Sequence, residues 1–160
     1  MSASYQISRK WALGNRSVIT DDTGAERFEV QGPRGFSGKL SIRDPAGAEV
    51  AAISRRGLAT RYEIRTGGEL TTVRPRGFAG RRFEIVSGAS QLEARGNFSG
   101  RQYAITRNGA PAAAVTQLRT FRERFAVEVS ESEDPVLMLA VVLVIETIRA
   151  DRRTAAAASG

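Results

Sequence analysis

At 160 residues and 17.3 kDa the chain is long enough for one domain with a full core, since domains of this size bury about two thirds of the surface their unfolded chains expose. It contains neither Cys nor His, which excludes disulfides, thiolate or imidazole metal sites, thiol nucleophiles and the Ser-His dyad. The formal charge of +7 is uneven: residues 1–120 carry 19 basic and 10 acidic side chains and residues 121–160 carry 5 and 7, so an anion-binding face is expected in the first part.

Hydrophobic residues make up 41% and charged residues 26% of the chain, which is ordinary globular usage. Disorder is expected only at the Ala-rich tail, residues 154–160. Met1–Lys10 lacks the apolar stretch of a secretory signal, and cytoplasmic residence, with peripheral contact at a membrane, is the expectation. Lys10 and Lys39 are the lysines and every other basic residue is Arg, a usage that a GC-rich coding bias also produces.

Taken in order, the first 130 residues alternate short strand-like segments with turn signals. Asp21-Asp22-Thr23-Gly24-Ala25-Glu26 and Asp44-Pro45-Ala46-Gly47-Ala48-Glu49 share an Asp-x-x-Gly-Ala-Glu turn, and Gly67-Gly68 and Asn108-Gly109 supply tighter ones. Between them an Arg-aromatic-Glu-aliphatic unit recurs as Arg27-Phe28-Glu29-Val30, Arg61-Tyr62-Glu63-Ile64 and Arg82-Phe83-Glu84-Ile85, with an echo at Arg124–Val129. Period-2 alternation puts the apolar pair on one face of a strand and the Arg and Glu on the other, as a solvated charge ladder. A second unit, Phe-small-Gly-basic, recurs as Phe36-Ser37-Gly38-Lys39, Phe78-Ala79-Gly80-Arg81 and Phe98-Ser99-Gly100-Arg101. Its glycines suit corners with positive φ, where the Phe plugs the core. About ten to twelve short antiparallel strands are expected, which indicates a sandwich or a barrel.

The end of the chain decides between them. Asp134-Pro135 reads as an N-cap followed by a first-turn proline, and Val136–Ile145 is apolar without a polar stripe. A helix that is apolar all round must be buried all round, and a barrel interior has room for it. A membrane span needs about 20 apolar residues, but Glu146, Arg149 and Asp151 interrupt this one. The expectation is therefore a mainly β protein: a closed antiparallel barrel enclosing one hydrophobic helix over about 135–150, in a single domain over 1–153.

The segments Tyr5-Gln6-Ile7-Ser8-Arg9-Lys10, Val18–Gly24, Phe28-Glu29-Val30-Gln31-Gly32 and Leu40–Gly47, followed by the C-terminal apolar helix, resemble the LURP-one-related family. Its relatives are the tubby C-terminal domain and the phospholipid scramblases. The resemblance runs from Tyr5 to Arg149 and implies a barrel of twelve strands around a central helix. It also implies an interaction module, because tubby-like relatives bind phosphoinositide headgroups through basic residues and scramblases act at membranes. The chain departs from the scramblases in lacking their Cys-rich segments, and Glu131-Ser132-Glu133-Asp134 is a poor substitute for their acidic calcium loop.

No catalytic or cofactor signature stands out: the carboxylates sit in turns or alternate with Arg, and no Gly-rich loop is followed by Lys and a helix. The chain is read as non-enzymatic, with no metal or cofactor. The candidate headgroup-binding residues are Arg34, Lys39, Arg76, Arg81, Arg82 and Arg101, in or beside the Phe-small-Gly-basic corners, where no loop carboxylate neutralises them. Their expected partner is anionic phospholipid. The alternative is a soluble structural or regulatory barrel with a protein partner, and nucleic acid is disfavoured because the corner phenylalanines belong to the core rather than to a stacking surface.

Overall fold

The structure is a computed structural model, and the residues it describes are 2–10, 16–32, 39–56, 61–76, 82–118 and 124–159. The strands are β1 (Ala3–Lys10), β2 (Arg16–Asp21), β3 (Glu26–Gln31), β4 (Lys39–Arg43), β5 (Glu49–Arg56) and β6 (Arg61–Thr66). There follow β7 (Glu69–Arg76), β8 (Arg82–Ser87), β9 (Ser90–Asn97), β10 (Gln102–Arg107), β11 (Ala110–Gln117) and β12 (Arg124–Val129). Each strand pairs antiparallel with its neighbours in sequence, and β1 closes on β12, giving a twelve-stranded barrel without edges. Among the described residues one helix, α1 (Pro135–Ser159), follows β12. This is the architecture expected from the sequence.

The alternation places one side chain in two inside. Tyr62, Ile64, Phe83, Ile85, Val127 and the corresponding residues of the other strands are buried, and they meet α1, whose residues from Leu137 to Ile145 are all buried, with Ile148 one turn further on. The helix starts where its cap predicts. Asp134 Oδ1 accepts from the Val136 N–H at 3.0 Å and the Asp134 carbonyl accepts from the Met138 N–H at 3.1 Å. It ends later than expected. Where the sequence reading stops the helix near residue 150 and leaves a disordered tail over 154–160, the structure carries helix through Ser159. The reason is local: Ala has the highest helix propensity of all residues, so Ala155–Ala158 propagates a helix already nucleated inside the barrel. Among the described residues no helix is long and apolar enough to cross a membrane.

The two Asp-x-x-Gly turns form alike. Asp21 Oδ1 accepts from the N–H groups of Thr23 and Ala25, and Asp44 Oδ1 accepts from the Ala48 N–H, with Gly24 at φ 85° and Gly47 at φ 87°. These turns, those at 67–68, 88–89 and 108–109, and the 130–134 link into α1 all lie at one end of the barrel, here the turn end. The other ends of the strands define the opposite end of the barrel, here the loop end, toward which the C-terminal part of α1 runs. At the turn end Arg107 grips Glu133 with two nitrogens, its Nε 2.9 Å from Oε2 and its Nη2 2.9 Å from Oε1. Glu133 is only 5% exposed, and the Glu133 carboxylate holds the Arg107 guanidinium pKa above its usual value. Removing one partner of such a pair leaves a poorly solvated charge. Arg107→Met is therefore expected to cost about 3 kcal/mol, read as a lowered urea midpoint; an unchanged midpoint would show that Glu133 regains solvent.

Candidate functional site

Charge is segregated along the barrel axis. At the turn end stand Asp21, Asp22 and Glu26 around the first turn, Asp44 and Glu49 around the second, Glu69 at the third, and Glu128, Glu131, Glu133 and Asp134 at the helix entry. These ten carboxylates face four arginines: Arg27, Arg43, Arg65 and Arg107. In the loop-end half, counting mid-strand Glu93 with it, the balance reverses to eleven basic side chains against five carboxylates among residues whose side chains are described. A modest net charge thus resolves into two ends of opposite sign, and the field of the loop end is positive.

Of the six candidate residues the structure describes four. Lys39 opens β4, is exposed and makes no ion pair among the described residues. Arg76 closes β7 and Arg82 opens β8, directly opposite each other in register. Arg34 and Arg81 lie outside the described residues. The expectation that these cations escape neutralisation is corrected for three of them: Arg76 pairs with Glu84 at 2.7 Å, Arg82 with Glu93 at 3.6 Å and Arg101 with Glu146 at 2.6 Å. The partners come from strands and from the helix, not from the loops, so a reading of loop charge alone missed them. It also passed over Arg55, Arg56, Arg61, Arg74 and Arg95, all exposed and all in the loop-end half of their strands. The signal for one of this set was present, because Arg61 opens an Arg-aromatic-Glu-aliphatic repeat just as the candidate Arg82 does.

Arg101 differs from the others in pointing inward. Its Nε donates to Glu146 Oε1, its Nη1 donates to Gln117 Oε1 at 3.0 Å, and its guanidinium lies 4.7 Å from the Phe125 ring centroid. Glu146, 11% exposed, also accepts from Arg149 Nη1 at 2.8 Å and from the Tyr103 hydroxyl at 3.1 Å. Burial and the Glu146 charge push the Tyr103 phenol well above its ordinary value, so it stays a proton donor. Phe98 packs edge-on against Phe83 at 4.9 Å and beside Tyr103 at 4.8 Å, as the core reading of the corner phenylalanines requires; Phe36 and Phe78 lie outside the described residues. The cluster fastens the far end of α1 to β10 and the 98–101 turn, so Arg101 is a structural cation. Arg101→Met is expected to lower stability by about 1–3 kcal/mol, seen as a drop in melting temperature. No drop would show that Arg149 and Tyr103 suffice for Glu146.

On the outer wall Glu84 accepts from both Arg74 and Arg76, and these hydrogen bonds hold its carboxyl below the usual carboxylate range. A depressed folded-state pKa contributes stability above the unfolded value and loses it as pH falls through the folded one. With both arginines about half exposed, that contribution is small. Among the described residues no group of three or more carboxylates is placed to hold a metal ion.

A closed, helix-filled antiparallel barrel whose ends carry opposite charge is the class of protein these observations define: a small β-barrel with an apolar interior and its charged side chains concentrated toward the outer surface. The chain belongs to the LURP-one-related family, whose profile matches residues 4–146. An X-ray structure of a protein from Arabidopsis thaliana is similar in fold, with a TM-score of 0.74 and 20% identity over 92% of this chain and 91% of that one. No curated protein sequence matches the chain.

Proposed function

We propose that the protein is a non-enzymatic interaction module that docks through the loop end of its barrel onto anionic phospholipid headgroups at the cytoplasmic face of a membrane. The observation that supports this reading is the segregation of charge: the loop end attracts a negative surface while the acidic turn end is repelled by it, so the attraction also orients the barrel. Each basic residue near such a surface contributes about 1 kcal/mol. Lys39, Arg55 and Arg61 are exposed there and make no ion pair among the described residues, so they are free to contribute.

The experiment is co-sedimentation with vesicles of phosphatidylcholine alone and with added phosphatidylglycerol. Wild type is expected to bind only the anionic vesicles, and to release them as salt shortens the screening length from about 10 Å at 0.1 M to about 3 Å at 1 M. Lys39→Glu/Arg55→Glu/Arg61→Glu should weaken binding by about a hundredfold or more with an unchanged melting temperature, while Arg65→Glu at the turn end should bind as wild type does. Absence of binding by wild type at low salt, or equal loss by the turn-end variant, would overturn the membrane reading in favour of a protein partner.

A further inference from the structure

The outer wall of β7–β9 carries an arrangement that neither fold stability nor general attraction to a negative surface accounts for. Arg76 on β7, Arg82 on β8 and Arg95 on β9 stand in one row, Arg76 opposite Arg82 and Arg82 opposite Arg95. Like charges directly opposite each other on neighbouring strands destabilise a sheet, and here Arg82 has a like-charged neighbour on both sides. The next row holds Arg74, Glu84 and Glu93, again in register, with the two carboxylates opposite each other.

The two rows are stitched together. Glu84 accepts from Arg74 Nη2 at 2.9 Å and Arg76 Nε at 2.7 Å. Glu93 accepts from Arg95 Nε at 2.8 Å, with Arg82 Nη1 at 3.6 Å. Four guanidinium groups therefore share two carboxylates, which leaves an excess of two positive charges. Each guanidinium carries five N–H donors in a rigid fork, and most of them remain unused. All four side chains are 46–66% exposed, so these donors are reachable from solvent. Arg76 and Arg82 stand at the head of a surface groove of about 390 Å³ that runs past Gln91 and Thr106 to Asn108 and Gly109. That volume lies within the range of small-molecule sites, and beyond the arginines and glutamates its lining combines the neutral hydrogen-bonding groups of Gln91, Thr106 and Asn108 with the apolar Phe83 and Leu92.

We infer that this wall is a binding site for a phosphate monoester carried on a polar body. A monoester bears about −1.5 to −2 charge near neutral pH and presents three acceptor oxygens, which matches an excess of two charges and several convergent forks. A phosphodiester has a single charge and two free oxygens and leaves half of that excess unmatched. Glu84 and Glu93 act as positioning residues, holding the guanidinium groups at fixed points before the ligand arrives. The inference rests on the membrane reading only for where the monoester comes from; a soluble phosphate ester offers the same chemistry.

The test uses the intact protein and separates the two sources. In one arm, vesicles containing phosphatidic acid, a monoester, are compared with vesicles containing phosphatidylglycerol, a diester, at matched surface charge. In the other, inorganic phosphate and glucose 6-phosphate are titrated calorimetrically without lipid. Wild type is expected to prefer the monoester vesicles at least about fivefold, or to bind glucose 6-phosphate measurably more tightly than inorganic phosphate. Arg82→Gln/Arg95→Gln, which removes the excess charge, should weaken binding to both vesicle types through the loss of two loop-end charges, but should bring the ratio of phosphatidic acid to phosphatidylglycerol binding to about one and abolish any glucose 6-phosphate preference, while keeping a cooperative melt. Glucose 6-phosphate binding without vesicle binding would assign the site to a soluble ester and end the membrane reading alone. Equal binding to both vesicle types together with no binding of glucose 6-phosphate, or a preference that survives in the double variant, would overturn the site and leave the membrane reading standing.

Discussion

Val142→Asp is expected to leave the protein largely unfolded at room temperature, with no cooperative thermal transition by circular dichroism. Val142 is fully buried near the middle of the apolar stretch of α1, and the barrel residues that surround the helix are overwhelmingly aliphatic and aromatic. The buried hydroxyls nearest in kind, Thr71 and Ser87, already hydrogen-bond each other at 2.9 Å. A carboxylate there meets no cation, and stripping it of water costs several kcal/mol even if it takes up a proton, against a total stability of about 5–15 kcal/mol for a domain of this size. Val142→Ala serves as the control, since it removes two methyl groups without adding charge and should cost about 2 kcal/mol while keeping a cooperative melt. Truncation before Asp134 takes the argument to its limit: twelve strands whose inner faces lose their common packing partner should give no soluble folded protein. A Val142→Asp variant melting within a few degrees of wild type would mean that the helix is not the core.

How much of this was legible in the sequence depends on the range over which each contact acts. The helix entry could be read directly, because Asp134, Pro135 and the apolar run are adjacent and their physics is local. The Asp-x-x-Gly turns could be read for the same reason, each being closed by one carboxylate on N–H groups no more than four residues away. The alternation within the Arg-aromatic-Glu-aliphatic units put Tyr62, Phe83 and Phe125 inside, where the structure has them. Partners set by strand register were not legible. Glu146 lies 45 residues from Arg101, and nothing near Arg101 in the chain announces that it turns inward. The charge ladder was read as uniformly solvated, yet Glu63 is only 9% exposed, with Arg56 donating to it at 2.8 Å. The arginine row of β7–β9 exists only once Arg76, Arg82 and Arg95 are aligned across two hairpins, and a shift of one residue in either would send one of them to the other face. The segregation of charge between the ends is likewise a property of alternating strand direction, invisible to a count over residues 1–120.

The close approach of β9 to β10 at Gly96 should be the second most sensitive point of the molecule. Gly96 has a φ of 140° and stands opposite Tyr103 in register. A Cβ built on it would lie 2.6 Å from the Tyr103 Cα and the Gln102 carbonyl oxygen and 2.8 Å from the Tyr103 Cβ. The obstacles are mostly backbone, which cannot swing aside as a side-chain tip would. Gly96→Ala therefore combines a backbone conformation costing an L-residue about 1–3 kcal/mol with overpacking worth a further 1–3 kcal/mol. Tyr103 would be the residue displaced, and it is the one that donates to Glu146 and supports Phe98, so the damage reaches the anchor of α1. Gly47→Ala isolates the first effect, since Gly47 has a comparable positive φ of 87° but no atom within 4 Å of the added Cβ, and should cost about 1–2 kcal/mol. With each kcal/mol worth roughly 2–4 °C in a chain of this length, the Gly96 variant should melt about 10 °C or more below wild type and the Gly47 variant only a few degrees below. Equal melting temperatures for the two would show that β9 and β10 can part at Gly96 without loss.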